Sequence, residues 1–183
     1  MTPLRKLISA GMSLIVCVAV TLLALNLPDA VVTPDDRYIC RGTQYYTLQS
    51  AVNSSYVLDV TDGHLQNGAE IQMWTWVGGA NQIWFFDGGM VRTLLNGKCL
   101  DRMNTTNVTD PNYGHVHLWD CQYWNPNQYW SLNMDNDHDN RKPFQLVHTC
   151  GECLMPVTSP SSGSKVKTLP CTKNATWQTN ARS

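Results

Sequence analysis

Asp59, Trp74, Asn81 and Gln82 are residues whose chemistry fits together. A carboxylate accepts hydrogen bonds at two oxygens, a carboxamide both donates and accepts, and an indole offers a flat apolar face. That set suits a ring with hydroxyls along its edge and C–H groups on one face. It returns in Asp101, Trp119, Asn127 and Gln128, so a second site of the same kind is expected. At the third set of positions Met155, Leu169 and Ala175 replace the acid, the ring and the carboxamide, and recognition should be lost there. Plainer roles exist: Asp59 could cap the Asp62-Gly63 turn, and Trp74 could be a core residue. Catalysis fits less well. Glycoside hydrolysis needs two carboxylates across one bond, whereas the repeated Asp positions fall in separate units. No nucleophile elbow, phosphate loop or zinc signature occurs. The chain reads as a binding module rather than an enzyme, with no cofactor and no metal.

The elements that position these residues follow from an internal repeat. Asn81-Gln82-Ile83-Trp84 recurs as Asn127-Gln128-Tyr129-Trp130 and, degenerate, as Asn174-Ala175-Thr176-Trp177. Upstream, Val57-Leu58-Asp59 matches Cys99-Leu100-Asp101 and Cys153-Leu154-Met155. Ile71-Gln72-Met73-Trp74 matches Val116-His117-Leu118-Trp119 and Val166-Lys167-Thr168-Leu169. Each unit has about four short runs of strand-forming residues. In the first these are Tyr45 to Leu48, Tyr56 to Val60, Ile71 to Thr75 and Gln82 to Phe86, separated by Asp62-Gly63, Asn67-Gly68 and Gly78-Gly79. A bias towards Asn, Thr, Gly, Trp and Tyr, with Glu70 and Glu152 the only glutamates, agrees with an all-β chain. A four-stranded unit cannot bury its apolar face alone. Three units should close around a shared axis as twelve strands.

The Gln-x-Trp signatures, the Cys-Leu-Asp opening and the unit length resemble the ricin B-type lectin family. The resemblance covers Thr43 to Thr179 and implies a β-trefoil. In that family the Asp bridges two hydroxyls of a galactose- or N-acetylgalactosamine-type sugar, the aromatic stacks under the ring and the Asn bonds one hydroxyl again. Gln82 and Gln128 would support the Asp or a hydroxyl from behind, and Trp84 would lie in the core. The expected partners are glycans. The alternative is a protein-binding trefoil, an inhibitor or a toxin-delivery or adhesion subunit with relic sugar sites. Its exposed loops would be Met103 to Tyr113 or Thr158 to Lys165. The net charge of −1, with no basic cluster beyond the N-terminus, offers nothing to a phosphate backbone, so nucleic acid is not expected.

The cysteines follow the repeat register. Cys99 and Cys121 occupy the places that Cys153 and Cys171 hold in the next unit, so each pair is expected to bridge within its unit, at about 3 kcal/mol per bridge in the chain-entropy view. Unit one has Val57 and Trp76 instead. Cys40 and Cys150 are left over, and an intrachain bond between them is favoured over a link from Cys40 to another chain. Arg5 and Lys6 precede an uncharged apolar stretch from Leu7 to Leu27, and Cys17 lies within it. Residues 1–30 thus read as a signal peptide or signal anchor, 31–42 as a spacer and 43–180 as the lectin domain. Either leader reading exports the domain, as a secreted or a single-pass type II membrane protein. Pro28 at the −3 position of the best cleavage site tilts the balance towards membrane retention through residues 7–27. Sequons at Asn53, Asn104, Asn107 and Asn174 fit a glycosylated ectodomain, and the two within Met103 to Tyr113 put a glycan or the loop itself near the second cleft.

Three further patterns carry less. Cys150-Gly151-Glu152-Cys153 has redox spacing but falls in a hairpin, where Cys153 already has a partner. His115 and His117 share a strand face without a third metal ligand, and read as exposed or cleft-lining. Asp135 to Asp139 imitates the start of a calcium loop, but Asn140 and Leu146 stand where Gly and Glu are needed, and a solvated hairpin is the better reading.

Overall fold

The computed structural model describes residues 43–134 and 142–182. The apolar leader, the spacer, Cys17, Cys40 and the Asp135 to Asp139 segment lie outside the described residues. Those described form twelve strands: β1 (Tyr45–Ser50), β2 (Tyr56–Val60), β3 (Ile71–Thr75), β4 (Trp84–Asp87), β5 (Met90–Thr93), β6 (Cys99–Arg102), β7 (Val116–Trp119), β8 (Trp130–Met134), β9 (Phe144–His148), β10 (Cys153–Pro156), β11 (Ser164–Leu169) and β12 (Trp177–Arg182). The fourth run of unit one starts later than expected. Gln82 lies in a short 3-10 turn, Ala80–Gln82, and the strand begins at Trp84.

Two layers follow from the pairing. β1 pairs with β4 and β12, β4 with β5, β8 with β9, and β9 with β12. A bridge between Met90 and Tyr129 joins β5 to the start of β8, so six strands close on themselves. The other six are the hairpins β2–β3, β6–β7 and β10–β11. They meet one another through β3 with β11, Glu70 with His117, and His115 with Lys167. A closed barrel capped by three hairpins is a β-trefoil.

Threefold sequence equivalence becomes threefold packing. Trp84, Trp130 and Trp177 are buried, and their indole N–H groups donate to the carbonyls of Leu58, Leu100 and Leu154 at 3.0, 3.0 and 2.9 Å. Each bond ties the last strand of a repeat to its first hairpin strand, and satisfies a polar atom that would be costly to bury alone. The apolar partners recur in step: Leu58, Leu100 and Leu154, then Ile71, Val116 and Val166. Since strand side chains alternate, the residue after each buried Leu faces away from this core. Asp59, Asp101 and Met155 occupy that place.

Candidate functional site

In repeat one Asp59 sits on β2, opposite Gln72 of β3. Its Oδ1 accepts from Gln72 Nε2 at 3.0 Å and its Oδ2 from Asn81 Nδ2 at 2.8 Å. Asn81 also reaches the Val60 carbonyl at 3.3 Å. The Asp62-Gly63 turn has no side-chain cap, so Asp59 does not serve it. A carboxylate has about four acceptor positions. Two internal bonds set the orientation of Asp59 and leave capacity for an incoming hydroxyl. Burial pushes its carboxyl above the usual value, the hydrogen bond from Gln72 partly offsets that, and the charge of Asp62 adds to the rise. Trp74, two residues along β3 from Gln72, shares its face and is 38% exposed, whereas Trp84 is fully buried. The ring therefore lies outside the core.

Gln82 is buried and closes the turn behind the cleft. Its Oε1 accepts from the Val77 N–H at 2.8 Å and its Nε2 donates to the Thr75 carbonyl at 2.9 Å. Gln128 repeats this, accepting from the Gln122 N–H at 2.7 Å and donating to the Asp120 carbonyl at 3.0 Å, and adds a direct bond to Asp101 Oδ2 at 2.9 Å. In the third repeat the place belongs to buried Ala175.

Repeat two brings Asp101, His117, Trp119, Asn125 and Asn127 around an open cavity of about 220 Å³, with Met103 and Asn104 on its rim. His117 Nε2 lies 3.2 Å from Asp101 Oδ1, and its ring packs 5.3 Å from that of Trp119. From sequence Asn127, like Asn81, is expected to bond a sugar hydroxyl, and the two repeats hold their acids with different residues. In the structure Asn125 Nδ2 holds Asp101 at 3.2 Å, while the Asn127 backbone N–H donates to Asn125 Oδ1 at 3.1 Å. The reason is steric. Gly79 stands in repeat one where Asn125 stands in repeat two, and a Cβ at Gly79 would collide with the Asn81 side-chain oxygen. With glycine there, Asn81 fills the space and reaches the acid; with Asn125 there, that residue does so instead.

Gln72 and Asn125 were not singled out from sequence, and His117 was read only as a lining residue. The signal available for Gln72 and His117 was strand alternation, two residues before each exposed Trp. The rim of the second cleft is fastened to repeat three. Arg102 donates to Glu152 Oε2 at 3.1 Å and to Thr168 Oγ1 at 2.8 Å, and Tyr113 donates to Glu152 Oε1 at 2.5 Å. Burial acts to raise the Glu152 carboxyl, but hydrogen bonds from Tyr113, Thr168 and Arg102 outweigh it and hold the group below its ordinary value.

Bridges join Cys99 to Cys121 and Cys153 to Cys171, as the register required. At the matching place in repeat one, Arg182 lies over the Trp76 ring at 4.3 Å. Cys150 is exposed and has no disulfide partner among the described residues, with its sulfur 3.0 Å from His148 Nδ1; Cys40, its expected partner, lies outside them. Asn53, Asn104, Asn107 and Asn174 are all exposed.

A family model, the ricin-type beta-trefoil lectin domain, matches residues 39–130, half of the chain. The chain belongs to this family. Solved structures share its fold. A designed 3-fold symmetric protein, ThreeFoil, is 25% identical with a TM-score of 0.63, the match covering 74% of this chain and 96% of that one. The earthworm R-type lectin C-half, in complex with GalNAc, is 16% identical with a TM-score of 0.60 and coverage of 76% and 99%. An exo-beta-1,3-galactanase from Clostridium thermocellum is 22% identical with a TM-score of 0.62, over 78% of this chain but 31% of that one. Lectins predominate among such neighbours, with enzymes such as the galactanase beside them. No curated protein sequence matches the chain.

Proposed function

We propose that this ricin-type lectin domain binds galactose- or N-acetylgalactosamine-type glycans through the clefts of its first and second repeats. One observation carries the reading. A buried, doubly hydrogen-bonded Asp59 lies beside a half-exposed Trp74 on one strand face, and the pair recurs as Asp101 and Trp119 while repeat three has neither. The carboxylate offers acceptors to hydroxyl pairs, Asn81 and Asn125 hold it in place, and the indole supports the C–H face of the ring. The GalNAc complex of the earthworm lectin agrees with this sugar class. Two disulfides and four exposed sequons support an exported domain, either secreted or anchored through residues 7–27.

A monosaccharide of about twelve heavy atoms, at roughly −0.3 kcal/mol per atom, binds near the millimolar range. Two clefts on one domain would let a dense glycan surface be held far more tightly through effective concentration. The test is binding to a glycan array by the full chain and by an Asp59→Ala, Asp101→Ala double variant, beside a variant with the Met103 to Tyr113 loop replaced. Galactoside binding should vanish in the double variant and persist in the loop variant. Binding of a protein ligand that follows the loop and ignores both Asp residues would replace the lectin reading with the protein-binding one.

A further inference from the structure

The hairpins meet in register, and that register places one extra residue beside each cleft. In an antiparallel pair, directly opposed residues share a face, with Cβ atoms about 4.5–5.5 Å apart. Asp59 of β2 is opposite Gln72 of β3, and Gln72 is opposite Lys165 of β11, so all three lie in one cross-strand row. The equivalent row in repeat two is Asp101, His117 and Glu70; in repeat three it is Met155, Lys167 and His115. Each row ends on a residue from another repeat. The charge at that end differs: a lysine beside the first cleft, a glutamate beside the second.

A second observation joins Lys165 to the first cleft. The segment that precedes it runs along Trp74: the Gly163 N–H donates to the Met73 carbonyl at 2.9 Å, and a Cβ built on Gly163 would lie 3.9 Å from the Trp74 ring. Lys165 itself borders an open groove of about 550 Å³ whose lining includes Ser161, Ser162, Gly163, Ser164 and Lys167. Lys167 Nζ is already committed to the Pro111 carbonyl at 2.8 Å. Lys165 is exposed, with no carboxylate partner among the described residues. The acid in its own row, Asp59, is buried and faces Gln72 and Asn81.

We infer that the first cleft prefers a galactose-type sugar carrying an anionic substituent, a sulfate ester or a carboxylate, which Lys165 receives, while Glu70 turns the second cleft against the same group. This rests on the lectin reading and names the substrate class of its first site. The ammonium on its flexible stem acts as a point charge, and the exposed Ser162 hydroxyl of the groove adds a donor. Because the pair is exposed, the gain is modest and falls with salt.

The test is calorimetric titration of the full chain, at low and at high salt, with galactose, galactose 3-sulfate, galactose 6-sulfate and galacturonic acid. At low salt an anionic sugar should bind about threefold tighter than galactose, and the ratio should shrink at high salt. Lys165→Ala should bring the ratio to one, Lys165→Glu should invert it, and Lys165→Arg should keep it. Preference for the sulfates alone or for the uronate alone identifies the source of the anion. No preference in the native chain, or one that survives Lys165→Ala, overturns this inference and leaves the lectin reading standing. A chain that binds none of the four sugars overturns both.

Discussion

The first and second clefts share a backbone and an Asp–Trp pair, yet single residues make them different sites. Gly79 lets Asn81 reach Asp59, whereas Asn125 takes that space and holds Asp101 itself. Gln72 offers a neutral amide to the acid in one cleft, and His117 stands 3.2 Å from it in the other. The first is bordered by Lys165, the second by Glu70 and by a rim loop fastened through Arg102, Tyr113 and Glu152. The hairpin register keeps an acid and a ring on one face, while the chemistry around them is set by whether a Cβ is present and by what the next repeat contributes. Two sites made by duplication can thereby diverge without a change in the fold.

The comparison breaks first if the exposed ring of cleft one is really part of the core. Trp84→Ala empties a fully buried site and strands the Leu58 carbonyl, so a loss of about 3–5 kcal/mol in folding stability is expected. Trp74→Ala should cost clearly less stability than Trp84→Ala, since the ring is part-exposed in the cleft, but should weaken galactose binding at that cleft about tenfold or more. Thermal melts beside sugar titrations decide it: a Trp74→Ala chain that melts as early as Trp84→Ala and still binds sugar would move the ring into the core.

The glycine swap sharpens the comparison with a smaller change. Gly79 has φ of −81°, which any residue adopts, so Gly79→Ala strains no backbone and acts through its Cβ alone. That methyl group displaces Asn81 from Asp59, and one displaced hydrogen bond is worth about 1 kcal/mol, or roughly fivefold in affinity. Sugar titration followed by NMR reads the two clefts separately. The first should weaken and the second stay as it was. Equal weakening of both would mean that Asn81 does not orient the acid.

These contrasts mark how far the sequence could be read. The repeat was legible because each Trp of the Gln-x-Trp series does the same work, donating to the carbonyl of the equivalent Leu, and so the spacing survived. Asp59 and Asp101 followed from the recurrence of Leu-Asp in the repeat and from the family resemblance. Asn125 could not be found from the motif, because its role depends on whether a side chain fills the space that Gly79 leaves open. Lys165 was out of reach for a different reason: it meets Gln72 only through pairing between the first and third repeats, which no local pattern encodes.

The smallest expected effect is a pH dependence of the first cleft. Sugar hydroxyls need an ionised Asp59 to accept from, and burial raises that carboxyl above its ordinary value. On acidification galactose binding at the first cleft should therefore decline by a few-fold before pH reaches the usual carboxylate range. The sign for stability runs the other way. An acid whose pKa is higher folded than unfolded binds its proton more tightly in the folded state, so its own contribution favours folding as pH falls between the two values. Binding should consequently fade while the fold persists. Titration of galactose across mildly acidic pH, with near-ultraviolet circular dichroism on the same samples, tests this. Unfolding in step with the lost binding would place the controlling group outside the cleft, and unchanged binding down to the ordinary carboxylate range would mean that Asp59 is not the acceptor.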